Sequence, residues 1–138
     1  MENIKEILKK YKNIALVGAS KDLTKTSSIV MKYLQDYGFK VYPVNPSMKG
    51  ESILGEKVFG NIKEIDGPIE IVDVFRPSNE AAEIAKDAIK VKAKVLWLQL
   101  DIRNEEAKKI EYIENKCTKM EYQKHFLKVR QAFPVLQD

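Results

Sequence analysis

Asn13-Ile14-Ala15-Leu16-Val17-Gly18-Ala19-Ser20 is the stretch on which the fold turns. Ile14 to Val17 are four consecutive apolar residues, which suits a strand covered on both faces in a parallel sheet. Gly18 stops the strand. A loop of small, charged and hydroxyl residues then runs through Ser20, Lys21, Asp22, Thr24, Thr26, Ser27 and Ser28 into a helical pattern. Strand, glycine turn and helix start together bring backbone N–H groups and the positive end of a helix dipole to one place. That construction suits an anion such as phosphate.

Upstream, Ile4, Ile7, Leu8 and Tyr11 fall on one helical face, with Asn3 as a cap, so residues 1–12 are predicted to form a helix. Downstream, Ile29, Val30, Tyr33, Leu34 and Tyr37 form a second stripe. Thr26 or Ser27 is placed to cap it, and Gly38 stands where a helix C′ residue belongs. Phe39 to Val44 reads as the next strand and ends in the turn-rich Asn45-Pro46-Ser47-Met48-Lys49-Gly50. A short edge strand is expected around Val58 and Phe59, and one helical turn over Asn61 to Ile65. Ile69 to Phe75 is a β-branched strand closed by Arg76-Pro77. Ser78 can cap a helix whose inner face is Ile84, Ala85, Ala88 and Ile89. Lys94 to Leu98 is a further buried strand. Beyond it the sequence predicts a short helix over Asn104 to Lys109, a last strand at Glu111 to Ile113, and a closing helix or tail from Met120 to Ala132. Strands alternating with helices call for a layered α/β domain, read as one unit over 1–138 with a sheet core at 13–117 and a C-terminal helix or tail at 118–138.

The chain has 138 residues, 44% hydrophobic and 32% charged, with a net charge of only +4. Charges of both signs are interleaved, which argues against nucleic acid as the partner. The basic positions near the end lack the aromatics of a base-stacking platform. A single cysteine, Cys117, cannot form an internal disulfide and fits a reducing cytoplasm. No apolar run approaches the length of a membrane span.

Ligands of open parallel sheets bind beyond the carboxyl ends of the strands. Here those ends are Gly18-Ala19-Ser20, Asn45 to Lys49, Phe75-Arg76-Pro77, Gln99-Leu100 and Asn115-Lys116-Cys117. The first loop has no further glycine through Ser28, so it matches neither the dinucleotide fingerprint nor a P-loop. Its hydroxyls serve equally as phosphate ligands or as caps. The second strand ends in Asn45 rather than in the acid that holds an NAD ribose. Lys49, just beyond, suits a phosphorylated ribose and favours coenzyme A or NADP. Arg76 is placed to touch a phosphate or to brace its loop with Asp73, which reads as a buried structural acid. Trp97 reads as core. Catalysis has little support. Cys117 and His125 are eight residues apart, about 12 Å along a helix and too far for a hydrogen bond.

Seven collinear segments resemble a known family: Ile14 to Ser20, Val41 to Pro46, Ile53 to Phe59, Ile71 to Arg76, Val95 to Leu100, Arg103 to Ala107 and Asn115 to Tyr122. Over about residues 10 to 123 the chain resembles the small stand-alone CoA-binding proteins, themselves similar to the CoA-binding domain of the succinyl-CoA synthetase α subunit. The resemblance implies a Rossmann-like three-layer α/β domain with a mostly parallel sheet of five to six strands. It implies a CoA site in which phosphates lie over Ser20 to Ser28, with Ser20, Lys21, Thr26 and Ser27 as contacts and Gly18 and Ala19 beside them. Lys49 would contact CoA, with Asn45 and Pro46 beside it. Phe75, Arg76, Pro77, Gln99, Leu100, Asn115, Lys116 and Cys117 would complete the site. Between Arg103 and Asn115 the chain is several residues shorter than the family pattern. The expectation is therefore a module that binds CoA or acyl-CoA without catalysis. The alternatives are a small NADP- or CoA-dependent enzyme using Cys117, and a CoA-sensing subunit of a larger assembly. An exposed edge near Val58 would allow a homodimer.

Overall fold

The computed structural model describes residues 4–99 and 119–123. In chain order its elements are α1 (Ile4–Lys10), β1 (Asn13–Val17), α2 (Thr26–Asp36), β2 (Lys40–Val44), β3 (Ser52–Ile53), β4 (Glu56–Lys57), β5 (Ile71–Val74), α3 (Ala81–Lys90), β6 (Val95–Gln99) and β7 (Lys119–Gln123). Short 3-10 turns occupy Pro46–Met48, Ile62–Glu64 and Ser78–Glu80. β2, β1, β5, β6 and β7 form one sheet in that order, and every pairing is parallel.

Ile14 to Val17 are all buried, because helices cover both faces of the sheet. On one face Ile14, Leu16, Val41, Ile71, Val95 and Trp97 pack with Ile7 and Leu8 of α1 and Val30, Met31 and Leu34 of α2. On the other, Ala15, Val17, Val72, Val74, Leu96 and Leu98 pack with Ala81, Ala85 and Ala88 of α3. Alternate residues of each strand thus feed two cores, which is the period-two geometry of a pleated sheet. Trp97 is 1% exposed and belongs to the first core, as expected. Asp73 is fully buried in the register row Leu16, Asp73, Trp97.

Gly38 ends α2 as expected. It has φ +89°, its amide donates to the Gln35 carbonyl, and the Phe39 amide donates to that of Leu34. This is the paired bonding of a Schellman cap. Five expectations need correction. The N-cap of α3 is Glu80, with no side-chain cap, so Ser78 does not serve. The N-cap of α2 is Lys25, with no side-chain cap, so neither Thr26 nor Ser27 serves. The buried stripe of α2 is Ser27, Ser28, Val30, Met31 and Leu34, which leaves Ile29 and Tyr33 half-buried on its flank. Val58 is not an exposed edge: it is buried, its amide donates to Glu51 and its carbonyl accepts from Gly50. Phe59 makes a single parallel bridge to Val44, while the hairpin lies earlier, at β3 and β4. Lys119 to Gln123 is a strand paired with β6, not the start of a helix or tail. The expected helix at Asn104 to Lys109 and strand at Glu111 to Ile113 lie outside the described residues.

The amino edge of the sheet is tied by Glu70. Its Oε1 accepts from the amides of Lys12 (2.8 Å) and Asn13 (3.0 Å) and from Asn13 Nδ2 (3.1 Å). Its carbonyl accepts from the amides of Lys94 and Val95, so one residue joins the starts of β1, β5 and β6. Partial burial pushes the Glu70 carboxyl up. The two amides and the Asn13 side chain, with Lys94 nearby, outweigh this and hold it below the ordinary glutamate value. A carboxyl depressed in the folded state contributes stability above its unfolded pKa and loses that contribution as pH falls through the folded value. Thermal stability is therefore expected to fall as pH drops below about 4.3, and Glu70→Gln to flatten that acid limb. Equal acid slopes in the two proteins would remove the clamp.

Candidate functional site

The chain leaves β1 for β2 on one side, then crosses back to β5 on the other, so the strand order reverses between β1 and β5. The carboxyl ends of these strands are where an open α/β sheet places its ligand crevice. Gly18 stands at that point with φ +97°. A Cβ there would lie 2.7 Å from the Phe75 carbonyl oxygen and 3.1 Å from Arg76 Cδ. Only glycine lets the loops after β1 and β5 pass this closely.

The loops are also bonded to each other. The Val44 carbonyl accepts from the amides of Gly18 (2.9 Å) and Ala19 (3.3 Å). Asn45 Nδ2 donates to the Ala19 carbonyl at 2.9 Å, and Asn45 Oδ1 accepts from the amide (3.0 Å) and hydroxyl (2.8 Å) of Ser47. Asn45 is therefore a bracket between two loops. The amides of Gly18 and Ala19, expected to face a ligand, are used within the protein. Ala19 turns its side chain into the core.

What the first loop offers an anion is the start of α2. Lys25 is extended (φ −72°, ψ 147°), and no side chain caps the helix. The first-turn amides thus lack the side-chain acceptor that commonly meets them. The loop before it is built by its own side chains. The amide of Asp22 donates to Ser20 Oγ at 3.0 Å, and Asp22 Oδ1 accepts from the amide (3.0 Å) and hydroxyl (2.6 Å) of Thr24. The Thr24 hydroxyl, with its amide, holds the exposed Asp22 carboxyl below the ordinary value. Ser28 Oγ donates to the Ser20 carbonyl at 2.8 Å. Ser27 is buried and Thr26 is exposed.

A cleft of about 280 Å³ opens over the switch point on the α3 side, lined among others by Gly18, Asn45, Pro46, Arg76, Glu83 and Ile84. Three cations from separate loops belong to this edge, and each meets a carboxylate. Lys21 pairs with Glu51. Lys49 Nζ lies 3.1 Å from Glu64 Oε2. Arg76 engages Glu80 through both nitrogens, Nε to Oε1 at 3.1 Å and Nη2 to Oε2 at 2.7 Å. The hydrogen bonds between these two hold Glu80 below the ordinary glutamate value and push Arg76 up. Arg76 is thus braced by Glu80, four residues on, where the sequence offered Asp73.

Four of the expected site residues, Gly18, Asn45, Pro46 and Arg76, line the cleft. Lys21 and Lys49 lie in the segments after β1 and β2 and are not among the lining residues. Phe75 packs against the first core and Pro77 is exposed. Gln99 ends β6. Leu100, Asn115, Lys116 and Cys117 lie outside the described residues, and the carboxyl end of the fifth strand is Gln123 rather than Cys117. The sequence reading missed Gly60 and Asn61 and the α3 residues Glu83 and Asp87. Glu83 and Asp87 are four apart on a helix, so their shared face was a legible signal. Among the described residues no group of three or more His, Cys, Asp or Glu side chains could hold a metal, and no helix is long and apolar enough to cross a membrane.

Residues 12–123 match the family described as CoA binding domain. The chain belongs to that family. This CoA-binding domain protein is 45% identical over 104 residues to the uncharacterized protein YneT of Bacillus subtilis, covering 75% of this chain and 76% of YneT. It is 33% identical over 67 residues to an ADP-forming acetate–CoA ligase of Methanocaldococcus jannaschii, 49% of this chain but 9% of that ligase. Among solved structures it superposes on a hypothetical protein from Pyrococcus horikoshii OT3 with a TM-score of 0.82 and 34% identity, covering 95% of each chain. The Rossmann-like α/β fold is common to this chain and that structure.

Gly18→Ala is expected to destabilise this CoA-binding domain protein by about 1–3 kcal/mol, since it adds left-handed strain and forces Phe75 away. Urea unfolding measures the loss. An unchanged midpoint would mean that the β1 and β5 loops separate without cost.

Proposed function

We propose that the protein binds coenzyme A, free or as a thioester, non-covalently along the carboxyl edge of its sheet and catalyses no reaction there. The observation that carries this reading is the set of three cations, Lys21, Lys49 and Arg76, carried by the loops after β1, β2 and β5 at one edge of the sheet, with Arg76 lining the cleft. CoA carries a diphosphate and a separate 3′-phosphate, so it needs positive charge at more than one place. Membership of the CoA-binding family supports the same ligand.

The cleft volume falls just below the range of small-molecule pockets, about 300–1,000 Å³, so it holds part of the ligand. It suits the adenosine portion, with the diphosphate over the start of α2 and the pantetheine arm along the open edge. Lys49 takes the 3′-phosphate. Asn45, which is spent on the backbone, leaves no acid to bond a ribose 2′-hydroxyl, and this disfavours NAD.

Native mass spectrometry of the purified protein, titrated in turn with CoA, 3′-dephospho-CoA, NADP and NAD, tests the reading. CoA is expected to bind, and the adduct to vanish under denaturing conditions. Lys49→Ala is expected to cost about tenfold in CoA affinity, the scale of a hydrogen bond to a charged group, and to leave 3′-dephospho-CoA unaffected. Binding of NADP alone would overturn the proposal. Turnover of any CoA- or NADP-dependent substrate that Cys117→Ser abolishes would overturn its non-catalytic part.

A further inference from the structure

Glu64 sits beside this edge without a role in the reading above. Its carboxylate is held on both oxygens. Oε1 accepts from the Gly60 amide at 3.0 Å, and Oε2 accepts from Lys49 Nζ at 3.1 Å. The residue is fixed from below by its own short turn. Asn61 caps that turn by accepting from the Lys63 amide at 2.8 Å, and the Glu64 amide donates back to the Asn61 carbonyl at 3.0 Å. Gly60 lines the cleft, and a Cβ on it would lie 3.1 Å from Lys49 Cδ and 3.4 Å from both Glu64 oxygens. The ion pair therefore lies against Gly60, one of the residues that line the cleft.

We propose that Glu64 is an exchangeable counter-ion that occupies Lys49 in the free protein and must be displaced by the ligand's phosphomonoester. This rests on the CoA reading and deepens it. The physical basis is charge. A carboxylate carries one negative charge, whereas a phosphomonoester carries about 1.5 to 2 at neutral pH. The phosphomonoester therefore wins the ammonium, while a ligand with only a ribose hydroxyl leaves the pair intact. Both partners are substantially exposed, Lys49 at 62% and Glu64 at 39%, so the exchange needs no core rearrangement. The Lys49 hydrogen bond, with the Gly60 amide, also holds the Glu64 carboxyl below the ordinary value, so the counter-ion is charged at neutral pH. The consequence is affinity set below what Lys49 alone would give, and ligand exchange that stays reversible.

The sign of one substitution separates this role from simple positioning of Lys49. Glu64→Gln keeps an acceptor for Gly60 and removes the charge. Calorimetric titration is expected to show CoA affinity raised about two- to fivefold, the range of an exposed ion pair. Affinity for 3′-dephospho-CoA should not change, and the substitution should have no effect in a Lys49→Ala background. In the wild-type protein, the Glu64 carboxyl followed by carbon NMR should titrate at higher pH once CoA is bound, and not with 3′-dephospho-CoA. That measurement needs no folded variant. Unchanged or lower CoA affinity in Glu64→Gln, or a Glu64 titration indifferent to CoA, would overturn the inference while the CoA reading stands. Failure of the folded wild-type protein to bind CoA would overturn that reading and the counter-ion with it.

Discussion

The close passage of Gly18 under the Phe75 carbonyl is the constraint on which the site end of this molecule depends. β1 and β5 are adjacent parallel strands, and the chain turns in opposite directions after them. Their loops would normally be kept apart by a side chain at the turn. With hydrogen at Gly18, the backbone of one loop touches the other beside the cleft that Gly18 and Arg76 line. The remaining braces build on this contact. Val44 at the end of β2 accepts the amides that the Gly18 turn exposes, and Asn45 reaches across to the Ala19 carbonyl. Three strand ends are thereby fixed relative to one another before any ligand arrives. Such preorganisation lowers the ordering cost of binding.

This rigidity has a chemical consequence. Backbone donors used to join loops are not available to phosphate, so the first loop is a weaker anion cradle than a glycine-rich one would be. Attraction must come from the uncapped start of α2 and from side-chain cations. Those cations are exposed, and each is met by a carboxylate from its own neighbourhood: Glu51, Glu64 or Glu80. The edge therefore combines fixed main chain with exchangeable charge. An exposed pair is worth little in water, about 0–1 kcal/mol, so opening one is a small step beside the gain of a phosphate contact.

The fold was legible because its strands are short apolar runs with clear stops. Ile14 to Val17, Ile71 to Val74 and Val95 to Leu98 read as buried on both faces and are so, and Gly38 reads as a helix end and is one. The β3–β4 hairpin was not legible. Two-residue strands carry no periodicity, and its turn is betrayed only by Leu54 (φ 50°) and Gly55 (φ 83°). Lys119-Met120-Glu121-Tyr122-Gln123 alternates charged or polar with apolar residues, a strand signal that is averaged away in any reading that runs on to Ala132. At the site, Gly18, Asn45, Pro46 and Arg76 could be placed because they sit at strand ends. Their partners could not. Glu64 meets Lys49 across fifteen residues through a loop geometry that no pattern in the sequence encodes. The use of the Gly18 and Ala19 amides by Val44 likewise depends on how β1 and β2 pair.

The ligase relative limits how far function can be carried on fold alone. The match covers 9% of that enzyme, so what the two are seen to have in common is one segment of 67 residues. In YneT and in the Pyrococcus horikoshii protein the correspondence instead extends over most of both chains. A binding module embedded in an enzyme can rely on neighbouring domains to close over its ligand and to set its affinity. The loops of this chain carry their own means of setting affinity for the proposed ligand. Counter-ions beside the cleft are one way to do so, because they weaken the hold on the ligand without loosening the main-chain crossing at Gly18. On that view the paired cations are the part of the site adapted to binding and release, and the Gly18 crossing is the part that the fold requires.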